Sequence, residues 1–267
     1  MKTFLYIAVC MIGFHLSFLQ AKRACILVHG TWGQGGAWYQ KGGDFYTELE
    51  KSAGLFVDEL ISFSWSGQNT VEARRAAGAQ LAFEIMKYDD VIIIAHSHGG
   101  NVAHCASHYL AQQGAQFYKK IKKLYTLGTP VDRTMQPNMN VIEYVYNLFS
   151  FGDLVQPVFN FYERVYPQHD RIANISIQFQ YRHMDHDEVH HPIIAHWILF
   201  IHEFFARHRQ CGFELFDFEK PGKIYFYGGD TDLKYEIDEE REMLLYTDRE
   251  FIKFMNSDMW RSGKNKK

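Results

Sequence analysis

Val91-Ile92-Ile93-Ile94-Ala95 runs without a polar residue into His96-Ser97-His98-Gly99-Gly100-Asn101, and no other stretch of the chain restricts its fold as tightly. A strand with no polar alternation is expected to be covered on both faces, as in the interior of a parallel sheet. A helical pattern follows from about Asn101 to Gln112. Strand and helix therefore meet at a turn with almost no loop. The two backbones converge there, so the residues two before and two after Ser97 must be small, and Ala95 and Gly99 are. Such a junction holds the serine side chain at the crest of a strained turn, clear of its neighbours. A serine in this position also serves elsewhere as a plain helix cap. The small flanking residues and the apolar strand favour a nucleophile.

The remaining pattern supplies a sheet for this strand to sit in. Ala24–Val28 reads as an early strand, followed by His29-Gly30-Thr31, a glycine-rich turn and a helix near Asp44–Lys51. A strand is expected over Val57–Trp65. Thr70 caps a helix that turns Val71, Ala77, Leu81 and Ile85 to the core. Strands follow at Lys122–Leu127, Ile142–Phe149 and about Ile175–Phe179, and Pro192 opens a helix reaching about Phe205. Repeated β-then-α units predict an α/β fold, a mostly parallel central sheet with helices on both faces. Cys105 falls in the apolar face of a helix and is expected to be a small core residue.

With 47% hydrophobic and 22% charged residues, the 267-residue chain can close a core of that size. A net charge of −3 gives no field for general nucleic-acid binding. Lys2 precedes a run from Phe4 to Leu19 that is apolar except for His15 and Ser17. This predicts a signal peptide over residues 1–21, and hence an exported protein beginning near Lys22, with an uncleaved membrane anchor as the alternative. The core is expected over 22–210. Beyond Cys211, strands near Lys223–Tyr227 and Leu233–Ile237 and an acidic helix over Asp238–Met255 form a small C-terminal β/α extension over 211–267, packed on or beside the core.

The strand–serine–helix unit resembles the nucleophile turn of the α/β-hydrolase superfamily, and most of all its lipase-like and esterase-like members. The family pattern is Gly-x-Ser-x-Gly, and Ala95 stands here in place of the first glycine. His29-Gly30-Thr31 is similar to the family's oxyanion element, and Leu127-Gly128-Thr129-Pro130 also resembles a lipase-type pattern. The likeness covers roughly residues 24–206. It implies the fold in a minimal form starting at the strand before the oxyanion loop. It also implies a Ser-His-Asp triad in the order serine, acid, histidine, with the backbone N–H groups of Thr31 and His98 facing the oxyanion.

The acid is expected at Asp153, just past an apolar strand, with Asp132 as the rival one strand earlier. The histidine is expected on the loop directly before the last helix. That favours His191, with His190 as the alternative and His186 and His196 as further candidates. His191 would then take the proton of Ser97 during attack on a carboxylic ester, and water would resolve the acyl-enzyme. This chemistry needs no cofactor and no metal.

The substrate is expected to be a small-molecule or lipid ester, with room for contact at a membrane or lipid surface. Trp32, Trp38, Tyr39, Phe159, Phe161 and Tyr162 would flank the cleft. Two other readings compete. One is an inactive scaffold used for binding. The other is a metal-dependent hydrolase built from His96, His98, His183, Asp185, His186, His190 and His191, residue types that suit Zn²⁺. The oligomeric state is open.

Overall fold

The computed structural model describes residues 21–155 and 163–202, and the backbone of strands 213–220, 223–228 and 235–236. The expected signal peptide up to Gln20, the acidic helix over Asp238–Met255 and the aromatic residues Phe159, Phe161 and Tyr162 lie outside the described residues.

Among the described residues, seven strands run parallel. In chain order they are β1 (Arg23–Val28), β2 (Glu59–Phe63), β3 (Asp90–His96), β4 (Ile121–Leu127), β5 (Ile142–Phe149), β6 (Ile172–Phe179) and, after the short β7 (Arg182–His183), β8 (Phe213–Lys220). Their spatial order is β2-β1-β3-β4-β5-β6-β8. Each neighbouring pair along that path is parallel. β7 folds back antiparallel on β6, while β9 (Lys223–Gly228) and β10 (Tyr235–Glu236) extend the far edge as antiparallel strands. β8, β9 and β10 thus continue the same sheet. β8 was not anticipated from the sequence, whose expectation for this region began at Lys223.

Alternation along the strands builds two apolar layers. Cys25, Leu27, Ile92, Ile94, Tyr125, Leu127 and Leu148 face one side, where α1 (Asp44–Ala53) and α4 (Pro192–Ile198) pack. Ala24, Ile26, Val28, Ile93, Ala95 and Leu124 face the other, covered by α2 (Val71–Ile85) and α3 (His98–Gln113). Because both faces are covered, β3 needs no polar residue between Val91 and Ala95. This is the mostly parallel sheet with helices on both faces that the sequence predicts.

Local signals place the helices. The Thr70 hydroxyl accepts a hydrogen bond from Ala73 N–H at 3.1 Å and starts α2. Val71, expected in the core, is 42% exposed. It is in phase with Arg74, Ala77, Gly78 and Leu81, but it sits on the first turn, before α2 meets α3. Cys105 is half-buried where α2 and α3 meet most closely: a Cβ on Gly78 would lie 2.4 Å from Cys105 Cβ.

Candidate active site

Ser97 occupies a backbone conformation, φ 52° and ψ −133°, that side-chain-bearing residues rarely adopt. The turn is held from both sides. Ser97 N–H donates to Leu127 O at 2.9 Å, and the Thr129 hydroxyl donates to Ser97 O at 2.9 Å. α3 begins at His98, immediately after the serine and earlier than the expected Asn101. Close approach explains the glycines. A Cβ on Gly99 would lie 2.5 Å from Val28 O, and one on Gly30 would lie 2.6 Å from Ser97 Cβ. Thr31 and the serine are therefore brought together by a contact only glycine permits.

A chain of hydrogen bonds leads away from Ser97 Oγ. It lies 3.0 Å from His186 Nε2, and His186 Nδ1 lies 2.8 Å from Asp153 Oδ2. A carboxylate can only accept, so Nδ1 carries the hydrogen and Nε2 presents its lone pair to the serine hydroxyl. Asp153 is fully buried. Its second oxygen, Oδ1, accepts from Val155 N–H at 2.9 Å, and Arg164 donates to its backbone carbonyl at 2.7 Å. Gly128, at φ 57°, passes directly beneath, where a Cβ would come within 3.0 Å of Asp153 Oδ2. Ser97, His186 and Asp153 thus form a hydrogen-bonded Ser-His-Asp triad at the C-terminal ends of β3 and β5 and the turn after β7.

The expectation of His191, with His190 second, is corrected by this geometry. His191 caps α4: its Nδ1 accepts from Ile193 N–H at 3.2 Å, and its ring stacks on Phe179. His190 stacks on Trp38 with centroids 4.9 Å apart. The reason lies in the turn before them. Asp185 Oδ1 accepts from the N–H groups of both Asp187 and Glu188, and Glu188 is paired with Arg182, which holds its carboxyl down at about 2. This tight turn throws His186 toward Ser97 and spends the next residues reaching the helix. The acidic run Asp185-His186-Asp187-Glu188 was the available signal, because an aspartate two and three residues before free N–H groups makes a turn.

Other candidates fall elsewhere. Asp132 Oδ1 accepts from Thr134 N–H and hydroxyl, closing a local turn in place of a histidine contact. His98 points its Nδ1 to Asn101 Oδ1 at 2.9 Å, and burial together with the nearby Arg74 lowers it to about 4. His196 pairs with Glu48 at 2.7 Å, a structural contact between α1 and α4. His183 is exposed on β7. His96 is buried against the triad: its Nε2–H donates to the His186 carbonyl at 3.0 Å, and burial pushes its pKa well below the ordinary value. Thr31 Oγ1 is buried without a partner among the described residues. Of the aromatic residues expected around the cleft, Tyr39 is core, Trp38 lies against His96 and His190, and Trp32 is 82% exposed.

No family model and no curated protein sequence matches the chain. Among solved structures it is similar to an extracellular α/β-hydrolase from a Paenibacillus species, at 20% identity over 41% of each chain with a TM-score of 0.28. It is also similar to a cutinase-like protein from Cryptococcus sp., at 15% identity over 41% of this chain and 54% of that one, TM-score 0.32. A putative hydrolase of the α/β superfamily from Xanthomonas campestris pv. campestris aligns at 14% identity over 66% of this chain and 94% of that one, TM-score 0.41. The alignments thus span about half or less of the first two proteins.

Proposed function

We propose that the chain is a serine hydrolase of carboxylic esters. The observation that carries this reading is the unbroken Asp153–His186–Ser97 hydrogen-bond chain ending on a serine held at a strained turn. In this reading Ser97 Oγ attacks the ester carbonyl while His186 Nε2 takes its proton. The buried Asp153 carboxylate keeps His186 in the required tautomer and stabilises the imidazolium as it forms. The backbone N–H groups of Thr31 and His98 receive the oxyanion, where donors aimed at developing charge are worth most. The imidazolium then protonates the departing alkoxide, leaving an acyl-Ser97. Water attacks this ester with His186 again as base, releasing the acid and restoring the serine.

The substrate we infer is an acyl or lipid-type ester. Trp32, Phe151 and Leu154 are large apolar side chains exposed on the segments that follow β1 and β5, beside the oxyanion element and the acid. Such exposed apolar groups rim sites that take greasy substrates or touch a lipid surface. The apolar N-terminal run supports export of the enzyme. No helix among the described residues is long and apolar enough to cross a membrane.

Labelling with a fluorophosphonate probe, followed by mass spectrometry of the modified peptide, tests the reading. The expected result is a single adduct on Ser97, absent from Ser97→Ala, with hydrolysis of a p-nitrophenyl ester series lost in the same variant. A folded protein that takes no label and cleaves no ester would instead be a binding scaffold.

A further inference from the structure

The triad absorbs His186, and Asn101 absorbs His98, but part of the histidine-rich set remains unassigned. His96, Asp187 and His190 each offer one ligand atom, and these atoms lie within 4.8 Å of one another. They come from distant places in the chain: His96 ends β3, while Asp187 and His190 belong to the turn that carries His186. The Asp187 carboxylate lies close enough to the His190 ring to interact with it electrostatically, and it is exposed while His96 is buried and His190 half-buried. Three groups that can each supply a lone pair therefore converge on one point. Packing favours holding them there. Trp38 stacks on His190 at 10° and meets the His96 ring edge-on at 5.8 Å.

The donor set selects the ligand. Two imidazoles and one carboxylate suit Zn²⁺ and similar borderline ions, whereas Ca²⁺ and Mg²⁺ take oxygen donors. Around a tetrahedral zinc, bonds of about 2.0–2.1 Å set ligand atoms roughly 3.3 Å apart. Closing the observed spacing asks for about an ångström of side-chain rotation, available to the exposed Asp187. His96 also has the outer partner a metal-bound imidazole needs: its Nε2–H is fixed on the His186 carbonyl, which leaves Nδ1 as the lone-pair nitrogen.

We propose that His96, Asp187 and His190 form a binding site for a Zn²⁺-type divalent cation, with water completing the coordination. The ion would tie the turn carrying His186 to the end of β3. Its ligands are positioning residues, and ester cleavage does not pass through the metal. The site does not depend on Ser97 being a nucleophile.

The test is titration of the chelator-treated, dialysed protein with ZnCl₂ by calorimetry, with thermal unfolding recorded with and without the ion. Co²⁺ serves as an absorbing substitute. The expected result is one Zn²⁺ per chain and a raised unfolding midpoint, with a visible Co²⁺ spectrum of low coordination number. Asp187→Asn and His190→Gln should each weaken binding by about tenfold or more. Ser97→Ala should bind Zn²⁺ as the parent does, which separates this site from the ester-cleaving assignment. Asp187 is exposed, so its replacement leaves the core intact and keeps the comparison meaningful. Absence of Zn²⁺ binding below millimolar concentrations would overturn the proposal. So would undiminished binding in both ligand variants, which would place the ion on other surface histidines.

Discussion

Exchanging His186 and His191 separately for alanine divides two tasks that fall within one short turn. His186 holds the lone pair facing Ser97 Oγ, so His186→Ala is expected to lower kcat/KM for ester cleavage by about 10³-fold or more. His191 caps α4, so His191→Ala should cost about 0.5–2 kcal/mol of stability and leave turnover close to that of the parent. Rates with the same ester and urea unfolding of both variants check this, and the opposite assignment of losses would contradict the triad drawn above. At this scale the serine was legible, because the constraint on Ala95 and Gly99 acts through adjacent backbone. Asp153 was legible for a similar reason, since it follows β5 by one short turn. The histidine was not. Its position depends on side-chain hydrogen bonds from Asp185 and an Arg182–Glu188 pair, which proximity to a helix start does not encode.

Among the elements, burial of β3 on both faces was readable, since Val91–Ala95 carries no polar residue, and its odd and even residues fall into two separate layers. The contact between α2 and α3 was not, because it needs both helices at once. Gly78 is the residue that lets them touch. In isolation alanine would be the better helix former by about 1 kcal/mol. Here its Cβ would fall 2.4 Å from Cys105 Cβ and 3.0 Å from Ala106 N, too close without moving a helix. Overpacking of this kind costs about 1–3 kcal/mol. Gly78→Ala is therefore expected to destabilise the protein by about 1–2 kcal/mol in denaturant unfolding. An unfolding midpoint equal to or above the parent's would show that the helices separate freely. The beginning of α3 was misjudged for a related reason. The triple His98-Gly99-Gly100 looks like loop composition, yet Gly99 and Gly100 lie in the helix, where glycine is needed because Val28 O and Thr129 leave no room for a side chain.

For the whole molecule, pH acts through histidines sealed inside the sheet layers. His104 is completely buried. Its Nδ1–H donates to Met135 O, its Nε2 lies 3.0 Å from the Tyr166 hydroxyl, and burial holds its pKa at about 3. The folded protein keeps it neutral where the unfolded chain protonates near 6.5. Between those values the unfolded state binds more protons, so stability must fall as pH drops through that window. The slope from this one group approaches about 1.4 kcal/mol per pH unit. Urea midpoints at pH 7 and pH 5 should differ in that direction, and the difference should shrink in His104→Gln. Equal midpoints, or an undiminished difference in the variant, would contradict the burial argument. The far edge of the sheet was the least readable of the described parts, because β8 carries no clean alternation and its pairing with β9 shifts register twice.

The separation of the triad in sequence has a consequence for the newly made chain. Ser97 and His186 are 89 positions apart and meet only after β4, β5, β6 and the turn beyond β7 are in place. A growing polypeptide that has displayed the serine elbow but not yet the histidine turn holds a hydroxyl with no base. Domains acquire structure from the N-terminus as they are synthesised. An ester-cleaving signal would therefore stay silent in every precursor that ends before the turn carrying His186, making the chemistry itself a gauge of how far the sheet has been assembled.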